Sequence, residues 1–299
     1  MNGIGKWFGA LAILASGLVA LPAAAQMPLV PPGTVPFGVY DPQGDYADEK
    51  GVAIEHLFLP WEDVYLPSLV DADSYAASRN RALLVTIEPW TWSRSERNRP
   101  AALRAGIFRG DYDRNMRAIC AVLGTLSGPV TVRWGHEMDD PSGQFIWSRW
   151  KPADYIKAYR RMIDICREEA PDIRYMWSPL GEEGMDAYYP GDDYVDLVGL
   201  SVFGLQGFDR REVGHDRTYK EVLKPKYDRA KVFGKPIVVA ELGYSGDAAY
   251  VAAWHDAVRR ADPDFPKLIA VVYFNQPEVY PWPYGLGKPD WTMGRNITR

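Results

Sequence analysis

The sequence predicts a single (β/α)₈ barrel, and three features carry that expectation. Short apolar runs alternate with longer amphipathic stretches along the chain. Eight of the runs are almost continuously apolar, as parallel strands covered on both faces must be. No G-x-G-x-x-G follows the first run, which removes the main sign of a doubly wound open sheet.

The candidate strands cover residues 35–40, 53–59, 82–88, 129–134, 173–177, 195–202, 236–241 and 267–274. Helical spacing fills several gaps between them. Over residues 113–126, Met116, Ile119, Cys120 and Leu123 share one face. Pro152 suits the first turn of the next helix, whose apolar side holds Tyr155, Tyr159, Met162, Ile163 and Cys166. A third helical pattern spans 247–260. Residues 182–194 are too short and too Gly-rich for a full helix, and the Pro- and Gly-rich stretch 277–299 predicts no regular final helix.

Residues 1–25 read as an export signal: one charge, Lys6, then an apolar run from Trp7 to Leu21, then Ala23-Ala24-Ala25. A membrane anchor is the rival reading, since about 20 apolar residues can cross a bilayer; Pro22 and the small residues favour cleavage. Residues 26–34 form a Pro-rich linker, and 35–299 the barrel. No membrane attachment is expected after cleavage, and no protein partner is predicted. The net charge of −5, without a basic run, argues against nucleic acid. Two Cys and four scattered His show no metal-ligand spacing, so neither metal nor cofactor is implied. Cys120 and Cys166 are read as buried small hydrophobes, with a disulfide as the alternative in an exported protein. Asn296-Ile297-Thr298 fits a glycosylation sequon.

Function in such barrels gathers at the C-terminal ends of the strands. Strand three runs into Glu88-Pro89-Trp90, strand four into Arg133-Trp134-Gly135-His136-Glu137, and strand seven into Glu241-Leu242-Gly243-Tyr244. A carboxylate directly after an apolar strand is costly without a partner or a purpose. Two of them, on strands four and seven, would face each other across the mouth, as glycoside hydrolysis requires. An ion pair with Arg133 is the competing explanation for either. Trp90, Trp147, Trp150, Trp177 and Tyr244 lie in or just after strand ends and are candidate sugar platforms; core packing is expected to claim at least two of the five.

Arg133-Trp134-Gly135-His136-Glu137-Met138-Asp139 resembles the R-x-x-H-E-M-N stretch of glycoside hydrolase family 26, a family of β-mannanases and lichenases. Glu88-Pro89-Trp90, Trp177-Ser178-Pro179, residues 189–196 and residues 235–243 are similar to other landmarks of that family. The resemblance implies an exported retaining endo-β-1,4-glycanase acting on β-mannan or mixed-linkage β-1,3-1,4-glucan. It makes Glu137 the acid/base and Glu241 the nucleophile. His136, Arg133 and Glu88 then serve substrate or the carboxylates, with a carboxyl separation of about 5–5.5 Å. The chain departs from the family at three points. Phe203 stands where a tyrosine is usual, Ser201 replaces an acidic residue, and Asp139 replaces Asn. Tyr244 is the candidate substitute donor. These departures motivate the alternative of a non-hydrolytic polysaccharide-binding protein on a retired barrel; a barrel enzyme using metal or phosphate lacks both a ligand cluster and a Gly-rich loop.

Overall fold

In a computed structural model of the chain, residues 31–91 and 99–298 are described. The predicted export signal, and all of the linker before residue 31, lie outside these residues. The strands are β1 (Phe37–Tyr40), β2 (Val52–Pro60), β3 (Ala82–Glu88), β4 (Val130–Trp134), β5 (Arg174–Trp177), β6 (Leu197–Leu205), β7 (Ile237–Ser245) and β8 (Leu268–Phe274). They pair in sequence order, all parallel, and β8 closes on β1. The barrel read from the apolar runs is therefore the fold.

Around it lie α1 (Ser68–Ser78), α2 (Pro100–Arg109), α3 (Asp113–Leu123), α4 (Pro152–Glu169), α5 (Gln206–Glu212), α6 (Tyr219–Ala230) and α7 (Ala248–Val258). Pro152 begins α4, where the missing N–H costs nothing. The Gly-rich stretch after β5 holds only two short 3₁₀ turns, Met185–Tyr188 and Asp192–Tyr194, and Pro283–Gly285 is the one helical turn described after β8. Among the described residues no helix is long and apolar enough to cross a membrane.

Cys120 and Cys166 form a disulfide between α3 and α4, which corrects the reading of them as buried thiols. Both lie on the apolar faces by which the two helices meet, so burial and bonding are satisfied together. Asn296, which fits a glycosylation sequon, has a structural role. Its side chain is fully buried and donates to the Tyr244 carbonyl, out of reach of a glycosyl group while folded.

The strand period of two sorts the barrel wall into levels. Ile54, Leu84, Met176, Leu197, Val238, Ala270 and Val272 pack together inside the barrel. Two residues further along, β2 and β3 bring His56 and Thr86 into contact, and Thr86 reaches Arg133 of β4. Phe58 and Glu88 follow at the next level. The outward residues, Trp134 and Trp177 among them, join the larger core beneath the helices.

Candidate active site

Two carboxylates reach the mouth by different backbone devices. β4 ends at Trp134, and the chain turns through left-handed conformations at Gly135 (φ 54°) and Glu137 (φ 51°). A Cβ on residue 135 would meet only ordinary contacts at 3.7 Å and 3.8 Å, so glycine serves there for its torsion and not for space. Glu137 has no such freedom and holds a conformation that non-glycine residues seldom adopt. Hydrogen bonds fix the turn from outside. The Glu137 N–H donates to the Ser178 carbonyl (2.8 Å), Trp147 Nε1 donates to the His136 carbonyl (2.6 Å), and the Tyr155 hydroxyl donates to the Gly135 carbonyl (3.1 Å).

β7 uses a bulge. Leu200 of β6 pairs with Val239, yet the next residue, Ser201, pairs with Glu241, so β7 carries one extra residue. Strict alternation from the inward Val238 and Ala240 would send Glu241 outward. The bulge turns it into the barrel, the re-aiming that such insertions perform beside sites.

Inside the mouth, Glu241 is 7% exposed and accepts from Arg133 Nη1 at 2.6 Å. Arg133 is fully buried and also donates to the Thr86 hydroxyl at 3.2 Å. Burial pushes the Glu241 carboxyl up, and the Arg133 charge and hydrogen bond pull it back toward the ionised form. Glu137 forms no salt bridge with a cation among the described residues. Burial first, and then the Glu241 charge, push it up to about 8, while a hydrogen bond from the Ser201 hydroxyl works against them. Glu88 is a third member of the cluster, pushed up to about 7 by burial and by Glu241 and bonded by the Trp90 indole. His136 is buried, its Nε2 3.7 Å from Glu241. Burial and the neighbouring Arg133 hold its pKa well below 6.5, so the ring is neutral.

The site residues expected from the sequence thus separate into two groups. Glu88, Arg133, His136, Glu137 and Glu241 converge. Four of the five proposed platforms do not. Trp147, Trp150, Trp177 and Tyr244 are buried side chains with no face open to a sugar. Trp147 braces the β4 turn, and Trp150 donates to the Ile146 carbonyl. Trp177 packs on Tyr189 and Phe233. Tyr244 bonds His255 and stacks near Trp254, so it cannot substitute for a hydroxyl at the mouth. The period of two puts Trp177 and Tyr244 on the outward sides of β5 and β7, and Trp147 and Trp150 are buried in the loop between β4 and α4. Trp90 is 8% exposed and packs edge-on against Trp147.

Part-exposed rings come from other elements: Tyr40, Phe58 and Phe203, toward the ends of β1, β2 and β6, and Trp282 from the segment after β8 pack against the buried Phe274 and Trp291. Phe203 contacts Trp291 (5.2 Å between centroids) and Trp282 (6.5 Å). Only Phe203 of these was expected, although alternation from Ser201 along β6 is a signal that places it. Ser201, read as a lost acidic residue, is the hydroxyl that bonds Glu137. Asp139, read as a departure, accepts from the backbone N–H groups of Leu180 (2.6 Å), Gly181 (3.1 Å) and Glu182 (3.2 Å), tying the loop after β4 to that after β5.

Among the described residues no group of three or more His, Cys, Asp or Glu is disposed to hold a metal ion. A surface hollow of about 760 Å³ between α3 and α4 lies away from these carboxylates. Two of its arginines pair with two of its acids, Arg161 with Asp113 and Arg117 with Glu168.

A barrel whose mouth sets one carboxyl held by an arginine beside another kept protonated is the arrangement of the barrel glycosidases. Comparison with known proteins takes the assignment one step further. Residues 114–227, a stretch that includes Arg133, His136, Glu137 and Ser201 and stops short of Glu241, match the model for glycosyl hydrolase family 26. A β-1,3-xylanase of an Alcaligenes species is 31% identical over 107 residues, 33% of this chain and 22% of that protein. A mannan endo-1,4-β-mannosidase of Bifidobacterium adolescentis is 27% identical over 165 residues, 50% of this chain and 16% of that protein. The chain therefore spans about a fifth of the length of these relatives. A family 26 β-mannanase of Bacteroides ovatus superposes with a TM-score of 0.61 and 17% identity, covering 81% of each chain. A modular endo-β-1,4-mannanase of Cellulomonas fimi gives 0.63 and 18%, covering 81% of this chain and 65% of that one. At those identities the structures show the shared barrel.

Proposed function

We propose that the protein is an exported retaining endo-β-1,4-glycanase, with β-mannan or mixed-linkage β-1,3-1,4-glucan as substrate. The observation that carries this reading is the unlike surroundings of two neighbouring carboxyls, both raised by burial but only one held by a cation. Glu137, pushed up to about 8, holds a proton at neutral pH, whereas Glu241 is pinned to a buried guanidinium at 2.6 Å. One is prepared to give a proton and the other to offer an electron pair.

In the first step a Glu241 oxygen bonds the anomeric carbon as the bond to the leaving oxygen breaks, and Glu137 gives that oxygen its proton. In the second, Glu137 takes a proton from water, the water oxygen bonds the anomeric carbon, and Glu241 leaves as carboxylate. Two inversions give net retention. Arg133 moderates the charge on Glu241 through both steps. His136 and Glu88 are placed to bond sugar hydroxyls, and the rings around Phe203 and Trp282 to cover apolar sugar faces. The apolar first segment supports export, and so does the Cys120–Cys166 bridge, a bond of oxidising compartments.

The Alcaligenes relative adds β-1,3-xylan to the substrates worth trying. The binder alternative loses one of its motives, because Ser201 serves Glu137 instead of leaving it bare. The test is product analysis on purified β-mannan, barley β-glucan and β-1,3-xylan. Release of oligosaccharides from one of the first two, with the β-anomer appearing first by NMR, is expected. Binding without products, unchanged in Glu241→Ala, would establish a binder, and products from β-1,3-xylan alone would replace the substrate.

A further inference from the structure

The search for unassigned chemistry leads below the carboxylates, to the polar level of the barrel interior that the proposed reaction does not use. His56 on β2 and Thr86 on β3 are both buried, and His56 Nε2 lies 2.8 Å from Thr86 Oγ1. The same hydroxyl oxygen accepts from Arg133 Nη1 at 3.2 Å, and Nη1 also donates to Glu241. That nitrogen carries two hydrogens, so its donors are spent, one on each oxygen. Nε and Nη2 of Arg133 have no hydrogen-bond partner among the described residues. The hold on the guanidinium therefore passes through Nη1 alone.

Donor counting then sets the direction of the array. Arginine can only donate, so Thr86 Oγ1 accepts from it. The Thr86 hydroxyl hydrogen has one acceptor within this array, Nε2 of His56. In an array that runs this way Nε2 is unprotonated and the proton of the neutral ring is on Nδ1. A protonated His56 would turn its Nε2–H on Thr86, strip the hydroxyl hydrogen of its acceptor and set a second cation near Arg133. Burial and Arg133 both hold the His56 pKa well below 6.5, in agreement with the neutral form.

We propose that His56 and Thr86 are positioning residues for the nucleophile, forming a one-way hydrogen-bond chain that keeps Arg133 Nη1 on Glu241. The proposal rests on the reading of Glu241 as nucleophile. Around Glu241 stand Arg133, His136, Glu137, Glu88, Tyr40 and Glu278, and around His56 stand Arg133, His136, Tyr40 and Phe58. Of these groups Thr86 touches Arg133 and His56 alone in hydrogen bonds, so its removal isolates the chain.

The direct measurement is the tautomer of His56 in the full-length protein by ¹⁵N long-range NMR, which needs no activity. The neutral Nδ1–H form from pH 8 down to pH 5 is expected; the Nε2–H tautomer, or an imidazolium at pH 7, would overturn the chain. The second measurement is the pH profile of Thr86→Val. Losing a hydrogen bond to a charged group amounts to about tenfold or more in rate, so kcat should fall at least about tenfold with KM little changed. The acidic limb should move to higher pH, and Thr86→Ser should restore both. A folded Thr86→Val with the wild-type limb and kcat would refute the proposal. Activity surviving in Glu241→Ala would instead remove the reading of the nucleophile, whatever the His56 tautomer.

Discussion

Along the inner face of β3, Leu84, Thr86 and Glu88 climb from apolar core to polar array to mouth. The outer face of β5 ends in Trp177, sealed between Tyr189 and Phe233. Both strands end at the same rim and both offer a residue that binds sugars well elsewhere. Only the inward direction makes such a residue functional. On the inner face, one row of buried polar groups is joined in sequence, His56 to Thr86 to Arg133 Nη1 to Glu241, and each bond offsets part of the desolvation cost of burying them. On the outer face, large rings fill volume, and the polar tip of Trp147 braces the turn that presents Glu137, whereas Trp177 Nε1 has no hydrogen-bond partner among the described residues.

Substitutions on the two faces should therefore fail differently. The largest effect belongs to Glu241→Ala, which removes the proposed nucleophile. Its kcat should fall by about 10⁴-fold or more, the scale on which unit-acting catalytic residues fail. Glu137→Ala should cost about 10²–10⁴-fold on polysaccharide and far less on aryl glycosides with good leaving groups. Equal losses on both substrate types would take Glu137 out of the acid role.

Breaking the Cys120–Cys166 bridge on the outer side reverses the pattern. The loop it closes is 46 residues long, which corresponds to about 4 kcal/mol of chain entropy. Cys120→Ser with Cys166→Ser should lower the melting temperature markedly while kcat at 25 °C stays near wild type. Trp147→Phe should sit between the faces: it loses one buried hydrogen bond, about 1 kcal/mol, and loosens the β4 turn. A several-fold drop in kcat together with a lower melting temperature is expected. Trp282→Ala should raise KM without that drop in stability, and a rise in KM for Trp147→Phe alone would show that the two faces had been assigned the wrong way round.

A pH-dependent effect tests the setting of Glu137. Its carboxyl is pushed above the ordinary value of 4.5 to about 8 on folding. The folded chain then keeps a proton that the unfolded chain has lost, so this group's contribution is fully present below about pH 4.5. It disappears as pH rises through about 8. Glu137→Gln removes that dependence, so its stability relative to wild type should increase between pH 5 and pH 9. The alkaline limb of activity should fall near pH 8 for the same reason.

Burial on both faces made the eight strands legible, since parallel strands under helices read as nearly unbroken apolar runs. Glu88, Arg133, His136, Glu137 and Glu241 were legible because polar residues directly after such runs need an explanation. What could not be read was direction. Strand ends alone do not tell Trp177 from Met176, or Tyr244 from Glu241, and on β7 the alternation itself misleads, because the bulge that turns Glu241 inward exists only in pairing with β6. The left-handed turn at Glu137 depends on Ser178, Trp147 and Tyr155, which arrive from distant positions. The disulfide was hidden for a like reason: two cysteines on apolar faces look the same whether the faces meet or not. Trp282 and Trp291 follow a Pro-rich segment with no periodicity to show that it folds back over β6 and β8.

The central claim is that Glu241 forms a covalent bond with the anomeric carbon. Incubating the protein with 2-deoxy-2-fluoro-β-glycosides of mannobiose and cellobiose that bear a dinitrophenolate leaving group, then mapping peptides by mass spectrometry, addresses it directly. The account predicts one equivalent of fluoroglycosyl on the Glu241 peptide, with none in Glu241→Ala. An active enzyme that carries the label on another residue, or hydrolyses these compounds with no label and with inversion, would contradict it.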